Sequence, residues 1–424
     1  MNCETFEQML KFRQNEARRC ILVRLYDIKY ISDLENFCKY YTNVVNIFPY
    51  NTANDNVSVS DQMISLYNVL RITDLNIRLR FYTAEQISYY LSKLFSNICV
   101  VPFGSSVNGF GQVGCDLDLL CRTIVDPDQR IFFYMAQTVP LAERNEQKEF
   151  LEVIGTVMKM CIPGINDVKK ILEARVPIIK FCNLNTNMQC DLSSTNTVAL
   201  HMSELLYTYG QLDWRVKPLV CTIRKWARTM NLTKEHPGQW ITNFSLTLLI
   251  IFYLQTKNIL PSVNTINKNK ATDPNFNWFL SWKKSVKRIN DESLHDLLCN
   301  FFEYYSIFDF KTQAICIRDG RFKLKNDFSP LYIHNPFNTT LNVSKNVTLG
   351  ELTRLVDHFQ EAFNMMLNSA EGDIIFKLIK LEPKTTKTNY ESDNKKKQTE
   401  FNKKFFPTVT NINGLDKIQG NIVK

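Results

Sequence analysis

Apolar positions along this chain recur with two different periods, and the switches between them outline the elements. Residues 5–19 place apolar and charged side chains at helical spacing and end in Arg18 and Arg19, cations suited to a helix C-terminus. The run CILVRL at residues 20–25 has the β-branched character of a strand; Ser32 is placed to cap a helix reaching about Tyr41, and residues 44–48 read as a second strand. This β-α-β pattern predicts a small ribonucleoprotein-like module over residues 1–60. CILVRL contains no aromatic residue, so packing or protein contact is expected of that module rather than base stacking. Asn, Asp, Thr and Ser then interleave over residues 51–60 as a loop.

From Asp61 the pattern is helical, although Leu75, Ile77, Leu79 and Phe81 alternate locally with Asn and Arg as a strand would. Thr83 and Gln86 have capping-box spacing, and Ile87, Tyr90, Leu91, Leu94 and Phe95 then share one helical face. An apolar run at 98–103 leads through a glycine-rich connector to a second run ending at Cys121. A turn around Pro127, a helix over 147–159 and a strand over 174–182 follow. Only a short polar connector separates that strand from MQCDLSS at 188–194, which makes the two antiparallel neighbours. The most hydrophobic stretch, residues 244–254, is too short to span a bilayer and predicts a buried helix.

A chain of 424 residues holds two or three domains, each with its own core. Its formal charge is +9, but residues 377–424 alone carry eleven Lys and five acidic residues, a net of +6. The body is therefore only weakly basic, and the tail is expected to be disordered and attractive to phosphates. Twelve cysteines show no Cys-x-x-Cys pair or zinc spacing, and several sit in apolar runs, which favours a reducing compartment. The first residues, MNCETFEQML, lack the marks of a secretory signal or an organelle transit peptide.

The chemistry concentrates in FGSSVNGFGQVGCDLDLL, residues 103–120. On a strand, Asp116 and Asp118 project from one face while Leu117 and Leu119 point to the core. Two carboxylates so placed repel each other, and a shared hard cation such as Mg²⁺ relieves that repulsion. Gly104 and Ser105 form a turn whose backbone N–H groups can approach a phosphate. An Asp-x-Asp pair by itself is often a solvated strand face; the ordered strand, Gly-Ser turn and second strand are what point to nucleotidyl transfer. Asp191, on the strand of MQCDLSS, is a candidate third carboxylate for the same cradle.

FGSSVNGFGQVGCDLDLL, RVPIIKF, MQCDLSS, LLYTYGQLDWRVKPLVCTIRKWA and ITNFSLTLLIIFYLQ occur in this order. Together they resemble the polymerase-β-type terminal nucleotidyltransferases, and among them the mitochondrial poly(A) polymerase branch. The resemblance implies an α+β fold: a mixed-sheet nucleotidyltransferase palm over 96–197 and a largely helical central domain from 61–95 and 198–376. The small ribonucleoprotein-like module and the basic tail, 377–424, flank them.

It further implies that Asp116, Asp118 and Asp191 bind two Mg²⁺ (or Mn²⁺) ions, with Asp191 assisting removal of the RNA 3′-hydroxyl proton. Arg224 and Arg228 flank Trp226 where relatives carry a Lys-x-Trp-x-Lys pattern that meets the β- and γ-phosphates. Ser105 is expected at the triphosphate, Asn196 at the sugar, and Asn243 and Phe244 where many relatives have Ser and Tyr. Phe244 retains a ring to stack on a base but lacks a hydroxyl. In YIHNPFNTTLNVSKNV, residues 332–347, Leu341 stands where uridine-selecting members place a His, so adenine is the expected base; His334 is expected to be a packed histidine. The implied partners are the RNA 3′ end and ATP, with no membrane. A homodimer through the N-terminal module and a mitochondrial location are expected by resemblance. Terminal uridylyl transfer, loose nucleotide choice, a non-catalytic RNA-binding scaffold and a small-molecule nucleotidyltransferase remain alternatives.

Overall fold

The computed structural model describes residues 6–18, 58–95, 97–123, 144–174, 176–194, 197–234, 236, 238–272, 290–369 and 374–379. The expected strands and helix of residues 20–48, the turn around Pro127, Asn196 and nearly all of the basic tail lie outside the described residues.

Helix α1 (Phe6–Arg18) buries Phe6 and Leu10 against Phe81, Val107 and Tyr207, so it rests on the body that carries the glycine-rich connector. Helices α2 (Val59–Leu70) and α3 (Asp74–Leu94) follow. The strand-like alternation at 75–81 is overridden, because Thr73 caps α3 by accepting from the Asn76 N–H at 3.2 Å and the helix runs unbroken. Thr83 is consequently no cap: its hydroxyl donates to the Leu79 carbonyl one turn back. Ile87 and Leu91 are buried as the periodicity requires, whereas Leu94 is exposed at the helix end.

Five strands form one mixed sheet in the order β1-β2-β5-β4-β3. They are β1 (Ile98–Pro102), β2 (Leu117–Thr123), β3 (Ile165–Ile171), β4 (Ile178–Asn183) and β5 (Met188–Ser193). The pairing β2–β5 is parallel and the other three are antiparallel. Alternation along the strands divides the sheet into two faces. Leu117, Leu119, Cys121, Ile179, Phe181, Cys190 and Leu192 pack on α3 and on α4 (Arg144–Cys161) through Ala84, Ile87, Leu91, Leu151, Ile154 and Met158. The intervening residues, Asp118, Lys180 and Asp191 among them, therefore project from the opposite face.

That face looks toward the helical body. It comprises α5 (Thr197–Leu212), α6 (Val216–Thr229), α7 (Asn243–Thr256), α8 (Val263–Thr272), α9 (Leu294–Ser306), α10 (Leu349–Leu367) and α11 (Ile374–Leu378), with a hairpin of β6 (Gln313–Cys316) and β7 (Arg321–Leu324). Every residue of α7 from Ser245 to Gln255 is buried, as its largely apolar composition predicts for a central helix. Trp226 of α6 seals the neighbouring layer, with ring centroids 4.8 Å from Phe302 and 5.5 Å from Phe359. Val59 and Met63 of α2 join this same core, so chain from before and after the sheet contributes to it. Among the described residues no helix is long and apolar enough to cross a membrane.

Candidate active site

The Gly-Ser turn follows β1 as a single 3-10 turn, Gly104–Ser106. Gly104 has φ +66°, and a Cβ built there would stand 2.7 Å from Oδ2 of Asp118. Only glycine lets the turn approach that carboxylate so closely. Its N–H donates to the Ser203 hydroxyl of α5 at 2.8 Å, which fastens the turn to the first helix after the sheet. At Gly111 a Cβ would lie 2.4 Å from the Ser105 carbonyl oxygen, so the connector folds back tightly on the turn.

Asp116 is exposed and precedes β2 by one residue; it belongs to the loop, not to the strand as expected. Asp118 lies within β2, partly buried, and its register partner on the parallel neighbour β5 is Asp191. The third carboxylate is therefore brought beside the second by the crossover that inserts β5 next to β2. Burial, then the charges of Asp191 and Asp116, push the Asp118 carboxyl up to about 7, against the lowering pull of Arg80 and Lys180.

The cradle is not closed as it stands. Among the described residues no three His, Cys, Asp or Glu side chains converge tightly enough to hold an ion. Lys180, the register partner of Asp191 on β4, donates from its Nζ to both oxygens of Asp191 at 2.7 and 2.8 Å. The ammonium therefore offsets part of the negative charge of Asp191. In donor chemistry and placement the three carboxylates still fit a hard divalent cation: all oxygen, on one loop end and two adjacent strands, with one carboxylate crowded by the others.

Arg224 of α6 is turned toward the glycine-rich connector, where its Nη1 donates to the Phe110 carbonyl at 3.0 Å. Its Nε is buried and meets no acceptor among the described residues. Arg228, one turn along, is exposed, so the two expected phosphate ligands do not occupy equivalent positions. Ser105 is partly buried, with its hydroxyl 3.3 Å from the Cys115 sulfur. Phe244 is partly buried at the start of α7 against the helical core, and Asn243 beside it is exposed; Thr242 caps the helix. His334 is buried, with Nδ1 2.9 Å from the Thr339 carbonyl, as expected of a packed histidine. Leu341 is exposed in the same segment. Asn342 and Ser344 hold that segment by bonds to the Leu331 carbonyl, and Asn346 ties it to the carbonyls of Gly238 and Trp240 just before α7.

Three residues escaped the sequence reading: Lys180, Ser203 and Arg80. Lys180 carried a signal, since it is the polar member of the apolar strand RVPIIKF and must project opposite Ile179 and Phe181. Ser203 carried none, because nothing local marks one serine of a helix as the partner of Gly104. Arg80 is a charge set on an apolar helical stripe.

Residues 59–211 match the family model of the central palm domain of mitochondrial-like poly(A) RNA polymerases, and residues 293–341 match that of the Cid1 family poly A polymerases. The chain is 40% identical over 319 residues to the mitochondrial poly(A) RNA polymerase of Drosophila melanogaster, which spans 70% of this chain and 52% of the relative. With the human mitochondrial poly(A) RNA polymerase it shares 39% identity over 328 residues, 72% of this chain and 55% of that protein. The chain thus spans about half the length of the curated relatives it matches. A crystal structure of mtPAP in complex with ATPγS superposes with a TM-score of 0.71 at 30% identity, covering 89% of this chain and 98% of the other. Likeness of fold and sequence over nearly the whole of a solved relative is common descent, and the chain belongs to the mitochondrial-type poly(A) polymerase family of polymerase-β-type terminal nucleotidyltransferases.

Proposed function

We propose that this chain is a template-independent RNA 3′-adenylyltransferase, which transfers AMP from ATP to RNA 3′ ends. The observation that carries the reading is the register pairing of Asp118 with Asp191, with the Gly104 turn packed on Asp118 and Asp116 one residue before the strand. Isolated on an apolar sheet face, such a cluster of carboxylates is costly; opposite a triphosphate and its cations it is the working part of a nucleotidyltransferase.

Asp116, Asp118 and Asp191 would hold two divalent cations, Mg²⁺ or Mn²⁺, which neutralise the triphosphate and make the RNA 3′-hydroxyl more acidic. Asp191 accepts the hydroxyl proton. The 3′-oxygen attacks the α-phosphorus in line as the bond to the β-phosphate oxygen breaks and pyrophosphate leaves. Gly104 and Ser105 line the triphosphate, and the guanidinium of Arg224, next to the connector at Phe110, offers it a charge-assisted bond. Arg228 reaches the outer phosphates, Asn196 the sugar, and Asn243 with the ring of Phe244 the base. Leu341 offers no hydrogen bond to uracil, which favours adenine. The names of the relatives support a mitochondrial location, and pairing into a homodimer is proposed from the resemblance to the mitochondrial branch alone.

The test is extension of a labelled single-stranded RNA by the purified chain with Mg²⁺ or Mn²⁺ and each nucleotide separately, beside the Asp116→Ala, Asp118→Ala double variant. Extension with ATP that vanishes in the variant is the expected result. Preference for UTP, or equal use of all four nucleotides, overturns the base assignment; no extension with any nucleotide overturns the enzyme reading. Light scattering on the eluting protein decides the dimer, and a monomer at micromolar concentration removes it.

A further inference from the structure

The buried stripe of α3 runs through Ala84, Ile87 and Leu91 at helical spacing, and one turn before Ala84 it is occupied by Arg80, which is 2% exposed. Placing a guanidinium on an apolar stripe costs several kcal/mol in lost hydration unless its donors are met. A break in the local pattern of this kind marks a position kept for something other than stability. The acceptors of Arg80 all belong to the candidate site. Its Nη1 donates to the Ser106 hydroxyl at 2.8 Å and to the Asp116 carbonyl at 3.0 Å, and its Nη2 donates to the Cys115 carbonyl at 2.5 Å. Ser106 ends the Gly-Ser turn, and Cys115 and Asp116 are the last two residues before β2. One planar fork thus ties the turn expected to hold the triphosphate to the backbone that carries the first carboxylate.

We propose that Arg80 is a positioning residue for nucleotidyl transfer: it fixes the Asp116 loop against the Gly-Ser turn and so sets where the Asp116 carboxylate stands relative to Asp118. This rests on the adenylyltransferase reading for its kinetic consequence but not for its effect on cation binding. The fork matters because Asp116, unlike Asp118, has no strand register to hold it; the residue is exposed and lies in the loop. Ammonium in place of guanidinium keeps the charge but cannot span two carbonyls and a hydroxyl in one plane.

The experiment compares the wild-type chain with Arg80→Lys and Ser106→Ala, using Asp116→Ala, Asp118→Ala as the control without a cation site. Free Mn²⁺ is titrated by electron paramagnetic resonance without nucleotide, melting temperatures are recorded, and kcat is measured with saturating ATP and RNA. For Arg80→Lys the expected result is Mn²⁺ affinity and kcat each lower by about 10- to 100-fold, as for other groups that orient metal ligands. RNA affinity stays unchanged. Ser106→Ala, which removes one acceptor of three, shifts both in the same direction by less. A folded Arg80→Lys variant with wild-type Mn²⁺ affinity and kcat overturns the proposal. If Arg80→Lys does not fold, Ser106→Ala decides, and wild-type values there overturn it equally. A wild-type chain that binds Mn²⁺ but extends no RNA sinks the adenylyltransferase reading and leaves the Mn²⁺ comparison to judge Arg80.

Discussion

Replacing Asp118 by Asn should make the cation-free protein more stable at neutral pH while removing its activity. In the fold this carboxyl is pushed up to about 7 from an ordinary 3.8, mainly by burial and then by Asp191 and Asp116. A raised carboxyl means the unfolded chain gives up its proton first. Stability is then lost as pH climbs from about 4 to about 7, and the loss is complete above that. With 1.36 kcal/mol per pH unit, the charge-related loss is about 2 kcal/mol at pH 5 and about 4 kcal/mol at pH 8. Asn keeps the shape and never ionises, so the Asp118→Asn variant escapes this loss. Its stability relative to wild type should rise by roughly 2 to 3 kcal/mol between pH 5 and pH 8, whatever constant offset the amide itself introduces. Urea unfolding in EDTA at the two pH values, followed by tryptophan fluorescence, measures that difference. Adding Mn²⁺ at pH 8 should reverse it, since an ion at a hundred times its dissociation constant stabilises the wild type by about 2.7 kcal/mol. A difference that stays flat with pH, or falls, refutes the account of the crowded carboxylate.

Three further outcomes follow from the same geometry. Lys180→Gln removes both the occupant of Asp191 and a neighbouring positive charge, and should tighten Mn²⁺ binding by up to about fivefold, the scale of a part-exposed ion pair; weaker binding in the titration counts against it. Arg224→Ala should lower kcat/KM for ATP by at least about tenfold, the cost of a lost charge-assisted bond, with Arg228→Ala milder because that side chain is exposed; equal effects would mean the two share one role. Gly104→Ala forces a Cβ to 2.7 Å from the Asp118 carboxylate at φ +66°, and kcat should fall by about a hundredfold, as for a displacement near 1 Å at reacting groups; steady-state kinetics at wild-type rates would show that the turn moves freely.

How much of this was legible beforehand depended on whether the physics was local. The strand-turn-strand around Gly104 could be read because an apolar run, a Gly-Ser pair and a second apolar run each carry their own signature, although Asp116 proved to lie just before the second strand. The antiparallel pairing of β4 with β5 followed from a connector too short for anything else. The parallel pairing of β5 with β2 did not, since it depends on a crossover through α4, β3 and β4 that no short window contains. Yet that pairing is what sets Asp191 beside Asp118. Over residues 75–81 the helical pattern that begins at Asp61 held against a strand-like alternation of seven residues, because a cap at Thr73 and helix packing further along outweigh so short a run. Arg80 shows the two levels meeting. Once the helix is known to run from Asp74, its place on the stripe with Ala84, Ile87 and Leu91 stands out as a violation of the helical pattern, but its partners lie 26 to 36 residues away and only the fold names them. A charge that breaks an amphipathic pattern is therefore worth treating as a question addressed to the tertiary structure. Here the answer lies at the loop that carries Asp116.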